Sequence, residues 1–470
     1  MPAGLGSEKE KGSIGRGGTV PNADPQTLSA MPAVSAEAGE NLDPPLSDLY
    51  RDYCRPELGA YLKALRLDVP YQRASGNYLY YSSGGEEVAV LDMLGGYGAL
   101  ILGHNHPELV EVAKGLLDRQ VPIHAQASVR SASALLAQRL SRHVACSSGD
   151  AHVVTFANSG AEAVEAAIKH AELEIRLEVD RTLKEVDRRF ARAEKQLGRS
   201  ARVSSEDWPR TLRTAKASPA TVTLEEARVD AMRHNEEVFQ TPPTFLALEG
   251  SFHGKTVGAL QLTANSFYRT PFRRIGLRVR FLKKNDIGDF EQALVEGTLT
   301  YFDVTVDPGG RVRLFERPLL NVAACFLEPI QGEGGVRPLA KEYLSQLQER
   351  CSARNVPLVI DEIQSGMGRT GRFLCCHKLG VRGDYYLLSK GLGGGLAKIS
   401  ALIISRRRYR PEFSLLHTST FAEDDFSSAF RTRPVGECLC PNPIPVPLPA
   451  TDFRSAHSLR QTDSFPCGHV

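Results

Sequence analysis

Short apolar runs separated by longer mixed segments dominate the middle of the chain. Their lengths fit buried β-strands, and each is followed by polar, charged or glycine residues. The runs are His152–Phe156, Thr244–Leu248, Val322–Leu327, Pro357–Ile360 and Tyr385–Leu388. Because such runs alternate with helical segments, we predict an α/β domain with a mostly parallel central sheet flanked by helices. Ligands of these sheets bind beyond the carboxyl ends of the strands.

Residues 171–243 show a different pattern, in which apolar positions recur every three or four residues among many charges. These positions are Leu183, Val186, Phe190, Ala193 and Leu197. The spacing predicts an amphipathic helix, one arm of a helical hairpin. We interpret the segment as a charged helical insertion on the surface. A partner-binding coiled coil is the alternative, but the run covers only about two heptads.

The two ends of the chain lack apolar periodicity. Residues 1–45 are rich in Gly, Pro, Ser and Ala, and residues 429–470 contain closely spaced prolines that exclude regular helix or central strand. We predict both as disordered tails. Between them we expect residues 46–120 to form the N-terminal segment of a small domain and residues 121–428 to form the large domain.

Composition narrows the class of protein. The 470 residues are 42% hydrophobic and 24% charged, which is ordinary for a globular protein. With 57 basic and 55 acidic residues the net charge is +2, so neither nucleic acid nor an anionic membrane is an expected partner. Nine scattered cysteines and no apolar leader segment indicate a cytoplasmic location. The longest apolar runs are too short to span a bilayer.

Two of the predicted strands end close to residues with distinctive chemistry. Lys390 follows the Tyr385–Leu388 run and precedes a glycine-rich stretch, and Asp361 directly follows Pro357–Ile360. A lysine amine in this setting can form a Schiff base with the aldehyde of pyridoxal 5′-phosphate (PLP). A carboxylate can keep the pyridine nitrogen of PLP protonated, so that the ring accepts electrons. We therefore predict PLP as cofactor and Lys390 and Asp361 as catalytic residues.

A turn between a predicted strand and a predicted helix is a candidate anion site. Its small residues let backbone N–H groups approach a phosphate, which the helix dipole favours, and Ser159 adds a hydroxyl donor. Taken alone, such a turn is equally consistent with close packing. If the turn is an anion site, Ser159, Gly160 and Ala161 bind the phosphate of the cofactor, and this is our prediction.

Aromatic and basic residues follow the Thr244–Leu248 run. The ring of Phe252, next to His253, is suited either to stack on a planar cofactor or to close the core. Lys255 is a rival candidate for the Schiff base. We rank it below Lys390 because its neighbours are polar and it lacks the position between a strand and glycines.

Carboxylates and amides also follow buried strands. Glu328 and Glu333 flank an amide after one strand, which favours a site over ordinary surface charge. Gln364 lies three residues after Asp361, where it can reach the phenolic oxygen of the cofactor.

Possible metal ligands are more consistent with structural roles. His104 and His106 lack a third ligand at a useful spacing, and Cys375, Cys376 and His377 are expected in the core or a loop. The tail also contains Cys438, Cys440, Cys467 and His469. Their spacing matches no standard zinc module, so we predict no metal.

Taken together, these segments resemble the class III, ornithine-type, PLP-dependent aminotransferases of fold type I. The likeness covers about residues 75 to 428 and is interrupted by the insertion, and the motifs occur in the order found in the family. They are Gly103–Pro107, Asn158–Ala163, Phe252–Gly254, Glu328–Glu333, Asp361–Gly366, Ser389–Gly391 and His417–Phe421.

The resemblance implies transamination by a ping-pong mechanism through a Lys390 Schiff base. An amino donor would leave its amine on the cofactor, and a keto acid such as 2-oxoglutarate would then accept it. It also implies that Phe252 stacks on the cofactor and that His253, Glu328 and Gln364 belong to its site. Family members form homodimers, in which the residue equivalent to Thr420 reaches the phosphate in the neighbouring subunit.

The chain departs from the family pattern in two places. The insertion is longer than usual, and the likeness stops near Ser428, before the C-terminal small domain. In relatives, the residue equivalent to Glu333 faces a substrate-reading arginine from that domain, and Arg431 and Arg433 do not match it. We therefore expect a truncated chain. Two alternatives stay open at this point: a racemase or aminomutase of the same fold, and an inactive truncated homologue.

Overall fold

The computed structural model describes residues 45–125, 127–204 and 221–430. The tails predicted as disordered lie outside these residues, apart from Pro45, Ala429 and Phe430. The described chain separates into two compact units, which are presented one by one. Their limits differ from the predicted division at residue 120, and the predicted domain boundaries stay a prediction.

The first unit comprises the described residues up to Ala74 together with Leu79–Val90. Its helices are α1 (Leu46–Leu49), a π-helical turn (Tyr50–Cys54) and α2 (Pro56–Ala64). A three-stranded sheet has the order β1 (Arg73–Ser75), β2 (Tyr78–Ser83) and β3 (Glu86–Leu91). Gly84 and Gly85 join β2 to β3 with φ angles of 61° and 82°, which suit glycine in a two-residue turn.

The second unit contains the remaining described residues. Its α-helices are α3 (Pro107–Asp118), α4 (Ser131–Ser148), α5 (Gly160–Leu197), α6 (Leu224–Phe239), α7 (Val257–Leu262), α8 (Ser266–Arg269), α9 (Ile287–Glu296), α10 (Lys341–Ala353), α11 (Cys375–Leu379), α12 (Phe413–Leu416) and α13 (Asp425–Ala429). Thr270–Ile275 and Lys390–Gly393 form 3₁₀ turns, and Gly95–Gly98 is a helical turn with left-handed residues inside it.

The strands of the second unit are β4 (His152–Ala157), β5 (Arg202–Ser204), β6 (Thr221–Thr223), β7 (Thr244–Leu248), β8 (Arg278–Leu282), β9 (Thr298–Val306), β10 (Val312–Leu320), β11 (Val322–Leu327), β12 (Ile330–Gln331), β13 (Arg337–Pro338), β14 (Leu358–Asp361), β15 (Tyr385–Leu388) and β16 (Ser400–Ser405).

Seven of the described strands form the central sheet, in the order β4-β16-β15-β14-β11-β7-β8. The pairs β15·β14, β14·β11, β11·β7 and β7·β8 are parallel, and β16 is antiparallel to both of its neighbours. The mostly parallel sheet predicted from the apolar runs is confirmed. The predicted strands are present, with β4 one residue longer and β14 beginning at Leu358 rather than Pro357.

Helices cover both faces of this sheet. Leu246 and Leu248 of β7 belong to a core that includes residues of α4, α9 and α10. The alternate residues Phe245 and Ala247 belong to a second core with α5 and α7. This two-residue alternation on a strand buried on both sides produces three layers, as expected for a parallel sheet.

Helix α5 begins at the turn predicted to bind an anion. Its cap residue Ser159 accepts a hydrogen bond from the backbone of Glu162, and the Glu162 side chain accepts from the Ser159 backbone. This capping box fixes where the helix starts. With 38 residues the helix is roughly 57 Å long, so it continues far beyond the sheet into the insertion.

The insertion has a hydrophobic core of its own. The apolar stripe on the distal half of α5 packs with α6 and with the antiparallel pair β9·β10. Val186, Phe190 and Ala193 are at most 2% exposed. The described part of the segment is therefore a charged helical hairpin whose inner face is packed. Only its outer face is exposed, as the prediction of a surface insertion had assumed for the whole segment.

Polar contacts connect the insertion to β9. Asp303 is fully buried and pairs with Arg189 of α5 and, at 3.0 Å, with Arg317 of β10. The Asn235 side chain of α6 both donates to and accepts from the backbone of Phe302, at 2.8 and 2.7 Å. Because buried polar groups without partners are costly, these contacts favour one arrangement of the insertion.

No helix among the residues that the structure describes combines the length and the apolar composition needed to cross a membrane.

Replacing Phe190 with alanine should destabilise the protein by about 3–5 kcal/mol, because the side chain is fully buried in the insertion core. Chemical denaturation measures the loss. Lys184→Ala, on the exposed face of the same helix, is the matched control and should change stability by less than about 0.5 kcal/mol. Equal unfolding midpoints for the two variants would mean that the insertion core does not contribute to the cooperative fold.

Candidate active site

Strand pairing brings the two predicted catalytic residues to one edge of the sheet. Strands β14 and β15 are parallel neighbours, and Asp361 is level with Leu387. Asp361 is the last residue of β14, and Lys390 lies two residues beyond the end of β15. The lysine therefore leaves its strand beside the carboxylate, at the carboxyl ends where such sheets bind ligands.

Lys390 is half-buried, and its backbone has a φ of 33°, in the left-handed region. Its Nζ donates a hydrogen bond to Oε1 of Gln364. Burial lowers the pKa of Lys390, and Arg369 lowers it further, against the opposing charges of Asp361 and Glu328. A lysine with a lowered pKa is a better nucleophile near neutral pH.

Asp361 is only 3% exposed and is held on both oxygens. Its Oδ2 is 2.8 Å from Nδ1 of His253, and its Oδ1 accepts from the backbone of Ile363 at 3.0 Å. Burial is the largest influence on the pKa of His253 and lowers it, but the hydrogen bond and charge of Asp361 outweigh burial and raise the pKa overall. The imidazole therefore favours its charged form, which balances the buried carboxylate.

His253 itself is fixed from its backbone. Its N–H donates to Oγ1 of Thr263 at 3.0 Å, and that hydroxyl donates to the carbonyl of Gly254. Orientation of one polar group by a second one behind it is a common feature of functional sites. The sequence placed His253 in the cofactor site without indicating that it contacts Asp361.

The turn before α5 lies beside the Asp361 loop. A Cβ on Gly160 would come within 3.0 Å of Cδ1 of Ile363, so glycine permits this close approach. Ser159 is exposed, and its carbonyl accepts from the hydroxyl of buried Ser400 at 2.7 Å. The N–H groups of the first helical turn, including Gly160 and Ala161, have no acceptor within the helix.

Glu328 joins two loops at the same edge. Its Oε1 accepts from the backbone of Phe252 at 2.9 Å, and its Oε2 accepts from Gly332 at 3.3 Å. Burial, reinforced by the charge of Asp361 and opposed by His253, raises the pKa of Glu328 to about 7. The Glu328 carboxyl group therefore connects the segment of Phe252, which is half-buried, to the segment of Glu333, which is exposed.

The Thr420 stretch lies near the same helix start. Oγ of Ser419 accepts from the side chain of Asn158 at 3.2 Å, and His417 is 3.1 Å from Nζ of Lys169. Thr420 itself is exposed.

Lys255, the rival candidate, contacts an aromatic ring and not Gln364. Its Nζ is 3.7 Å from the centre of the Tyr268 ring, and the residue is exposed. The burial that lowers the pKa of Lys390 favours Lys390 over this exposed lysine for the amine chemistry.

The structure also adds residues that the sequence reasoning missed. Arg369 donates to the carbonyl of Gly98, and a Cβ on Gly98 would come within 2.7 Å of Nε2 of Gln364. The Gly95–Gly98 turn therefore packs on the residue that contacts Lys390. The glycine-rich run Gly366-Met367-Gly368-Arg369, directly after the Asp361 motif, could have indicated that Arg369 lies close to the site.

The histidines considered as metal ligands are arranged differently. His104 Nε2 is 2.8 Å from Oδ2 of Asp92, whose other oxygen accepts from two backbone N–H groups. In the part of the chain that the structure describes, no group of three His, Cys, Asp or Glu side chains is placed to hold a metal ion. The cysteines and histidine of the tail lie outside these residues.

The residues present fit PLP. A helix start with free N–H groups can take its phosphate, buried Asp361 can face its pyridine nitrogen, and the amine of Lys390 can meet its aldehyde. The contact between Gly160 and Ile363 places the turn before α5 beside the loop that follows Asp361. One edge of the sheet thus holds the groups needed for each end of the cofactor.

Comparison with known proteins agrees with this assignment. The family described as aminotransferase class-III matches residues 62–430. A curated relative, the putrescine aminotransferase of Pectobacterium atrosepticum, is 29% identical over 402 residues, which are 84% of this chain and 67% of the relative.

Solved structures show the shared fold. The ornithine aminotransferase of Toxoplasma gondii has a TM-score of 0.53 and 22% identity, over 82% of this chain and 71% of that one. The taurine:2-oxoglutarate aminotransferase of Bifidobacterium kashiwanohense, solved with PLP and glutamate, has a TM-score of 0.54 and 19% identity, over 79% and 68% of the two chains.

The family match covers most of the described chain, and solved aminotransferase structures share its fold. The resemblance, the fold class, the cofactor and the general reaction predicted from the sequence are confirmed. An amino donor and a keto-acid acceptor are accordingly the substrates of this kind of enzyme. The chain belongs to the class-III aminotransferases, which are PLP-dependent enzymes.

Proposed function

We propose that Lys390 carries PLP and moves the proton during transamination from a primary amine to a keto acid. The observation that supports this most directly is the position of its amine, half-buried and next to the Asp361–His253 pair at the ends of neighbouring strands. When bound, PLP supplies an electron sink for the bond that breaks at the amine-bearing carbon.

The chain's own residues supply the rest. Asp361 would hold a proton on the ring nitrogen, because its buried carboxylate is fixed in place by His253 and by the backbone of Ile363. Nζ of Lys390, freed when the donor amine takes its place, would accept the proton from the amine-bearing carbon of the donor and give it back later in the reaction. Gln364 orients the lysine amine. Phe252 would cover the ring of PLP, and Ser159, Gly160 and Ala161 would bind its phosphate.

We propose putrescine as the first donor to test and 2-oxoglutarate as the acceptor. The donor follows from the named activity of the relative that is 29% identical, and the acceptor from the name of a protein of the same fold. Ornithine and taurine are the next donors to compare. Glu333, exposed at the edge of the site, is the proposed contact for the substrate.

We further propose a homodimer in which Thr420 completes the phosphate site of the other subunit. Large apolar side chains flank Thr420 at the surface: Leu415 is 87% exposed and Phe421 is 62% exposed. Exposed apolar clusters of this kind mark protein interfaces. We place the enzyme in the cytoplasm, since the cysteines of the described residues are free thiols, as a reducing compartment requires.

Lys390→Ala should abolish the absorbance near roughly 400 nm that lysine-bound PLP gives, together with transamination. The spectrum of the purified protein with added PLP measures this. Lys255→Ala is the matched control and should keep both the band and the activity. A band that persists in the Lys390 variant and disappears in the Lys255 variant would reverse the assignment. A colourless wild-type protein would instead favour an inactive homologue.

Mixing two inactive variants should restore activity if the sites are shared between subunits. Lys390→Ala removes the amine of its own site, and Thr420→Val removes a hydroxyl from the site of the partner. In a random mixture half of the dimers are mixed and each has one complete site, so about a quarter of wild-type activity should return. The assay follows amine transfer after co-refolding. No recovery, with mixed dimers present, would place Thr420 in its own subunit's site.

The pKa of Glu328 should make stability depend on pH. The unfolded chain releases this proton near the ordinary value of 4.5, and the folded protein keeps it to about 7. Between these values the folded state binds more protons, so the free energy of unfolding falls as pH rises, by at most about 1.4 kcal/mol per pH unit. The contribution is complete below 4.5 and absent above 7.

Urea denaturation of the cofactor-free protein and of Glu328→Gln at several pH values measures this slope. The variant keeps the shape but has no proton to release, so its stability should change less between about pH 5 and 7. Parallel curves for the two proteins would show that Glu328 does not hold the proton.

A further inference from the structure

Glu362, the residue after Asp361, is fully buried and has no part in the proposed chemistry. Its Oε1 accepts from the backbone of Cys376 at 2.7 Å, and its Oε2 accepts from the hydroxyl of Ser365 at 2.6 Å. Both donors are themselves at most 3% exposed. Burial raises the pKa of Glu362, which shows that burying this carboxyl group is unfavourable in its charged form. We therefore expect a structural role that compensates for the burial.

The two hydrogen bonds close a loop. Cys376 lies in α11, fourteen residues after Glu362 along the chain, and Ser365 lies within the loop that connects them. The backbone carbonyl of Glu362 also accepts from Gly366 at 2.8 Å. One buried side chain therefore connects the start of the 362–376 loop to its end.

This loop carries several groups that border Lys390. Gln364 accepts the hydrogen bond from Nζ of the lysine, and Arg369 donates to Gly98 in the turn that packs on Gln364. Met367 packs against Gly391, the residue after the lysine. A Cβ placed on Gly391 would come within 3.4 Å of the Cβ of Met367. The geometry of the lysine amine thus depends on where the loop is held.

We propose that Glu362 is a positioning residue, which closes the 362–376 loop and so holds Gln364 against the amine of Lys390. The inference rests on the proposed role of Lys390. It is independent of the amino donor and of the oligomeric state, because every contact lies within one chain.

Glutamine and leucine at position 362 separate hydrogen bonding from packing. In Glu362→Gln the amide oxygen accepts from Cys376 and the amide nitrogen donates to Ser365, so both bonds are retained. In Glu362→Leu the volume is similar and both bonds are lost, which leaves two buried donors without acceptors. Ser365→Ala removes one bond and is the milder variant if the leucine protein does not fold.

The first readout uses the protein without cofactor. Competitive labelling of Lys390 with an amine reagent across pH, measured by mass spectrometry, gives the pH at which its amine ionises. The wild-type amine is held at a lowered pKa by burial. In Glu362→Leu the loop relaxes and water reaches the amine, so the midpoint should move to higher pH. Glu362→Gln should match the wild type, and Ser365→Ala should lie between them.

The charged groups around the lysine amine are the same in every variant. Asp361, Glu328 and Glu333 raise the pKa of Lys390, and Arg369 lowers it. A shift in Glu362→Leu that is absent in Glu362→Gln therefore reports the position of the loop.

The second readout is a double-mutant cycle on turnover with added PLP. Glu362→Leu should lower kcat on the order of a hundredfold, as a misplaced catalytic group does, with little change in KM. If Glu362 acts through Gln364, then adding Glu362→Leu to Gln364→Ala should have little further effect.

Three results would overturn the proposal. These are an unchanged labelling midpoint in a folded Glu362→Leu or Ser365→Ala protein, a glutamine variant as impaired as the leucine variant, or fully additive effects with Gln364→Ala. A PLP band that persists in Lys390→Ala would instead refute the role of Lys390, and the labelling of the cofactor-free protein would still test Glu362.

Discussion

The register between β14 and β15 is the constraint on which the site depends. Because the two strands are parallel and Asp361 is level with Leu387, the chain turns out of the sheet at both places side by side. A shift of one residue would turn Asp361 to the other face of the sheet. The register is fixed by alternation, since Val359 and Leu387 pack into one core and Ile360 and Leu388 into the other.

The same register concentrates charge in a buried place. Asp361, Glu328 and His253 are at most 5% exposed, and Lys390 is half-buried beside them. The charge of Asp361 raises the pKa of His253, Glu328 and Lys390, so removing Asp361 would lower the pKa of all three. The Asp361–His253 pair leaves one carboxylate fixed in place, and the lysine beside it loses its proton more easily than an ordinary lysine does.

Local pattern predicted much of this arrangement, because buried parallel strands are apolar on both faces. Residues that follow such strands gather at one edge, which located Lys390, Asp361 and Glu328 without coordinates. Strand β8 was missed because Arg278 and Arg280 alternate with its apolar residues. The contact between His253 and Asp361 joins positions 108 residues apart, so no local spacing indicates it.

The insertion shows where local reasoning stops and why. The apolar stripe of α5 was visible, but its partners in β9 and β10 lie more than a hundred residues away, so the stripe alone fitted a solvated arm. One continuous helix begins after Ser159 and ends in that third core. Since a helix is stiff over this length, fixing its far end by the Arg189–Asp303 ion pair and by the core that includes Phe302 also limits how its first turn can tilt. The insertion therefore lies outside the chemistry and still restrains the helix start that we assign to the phosphate.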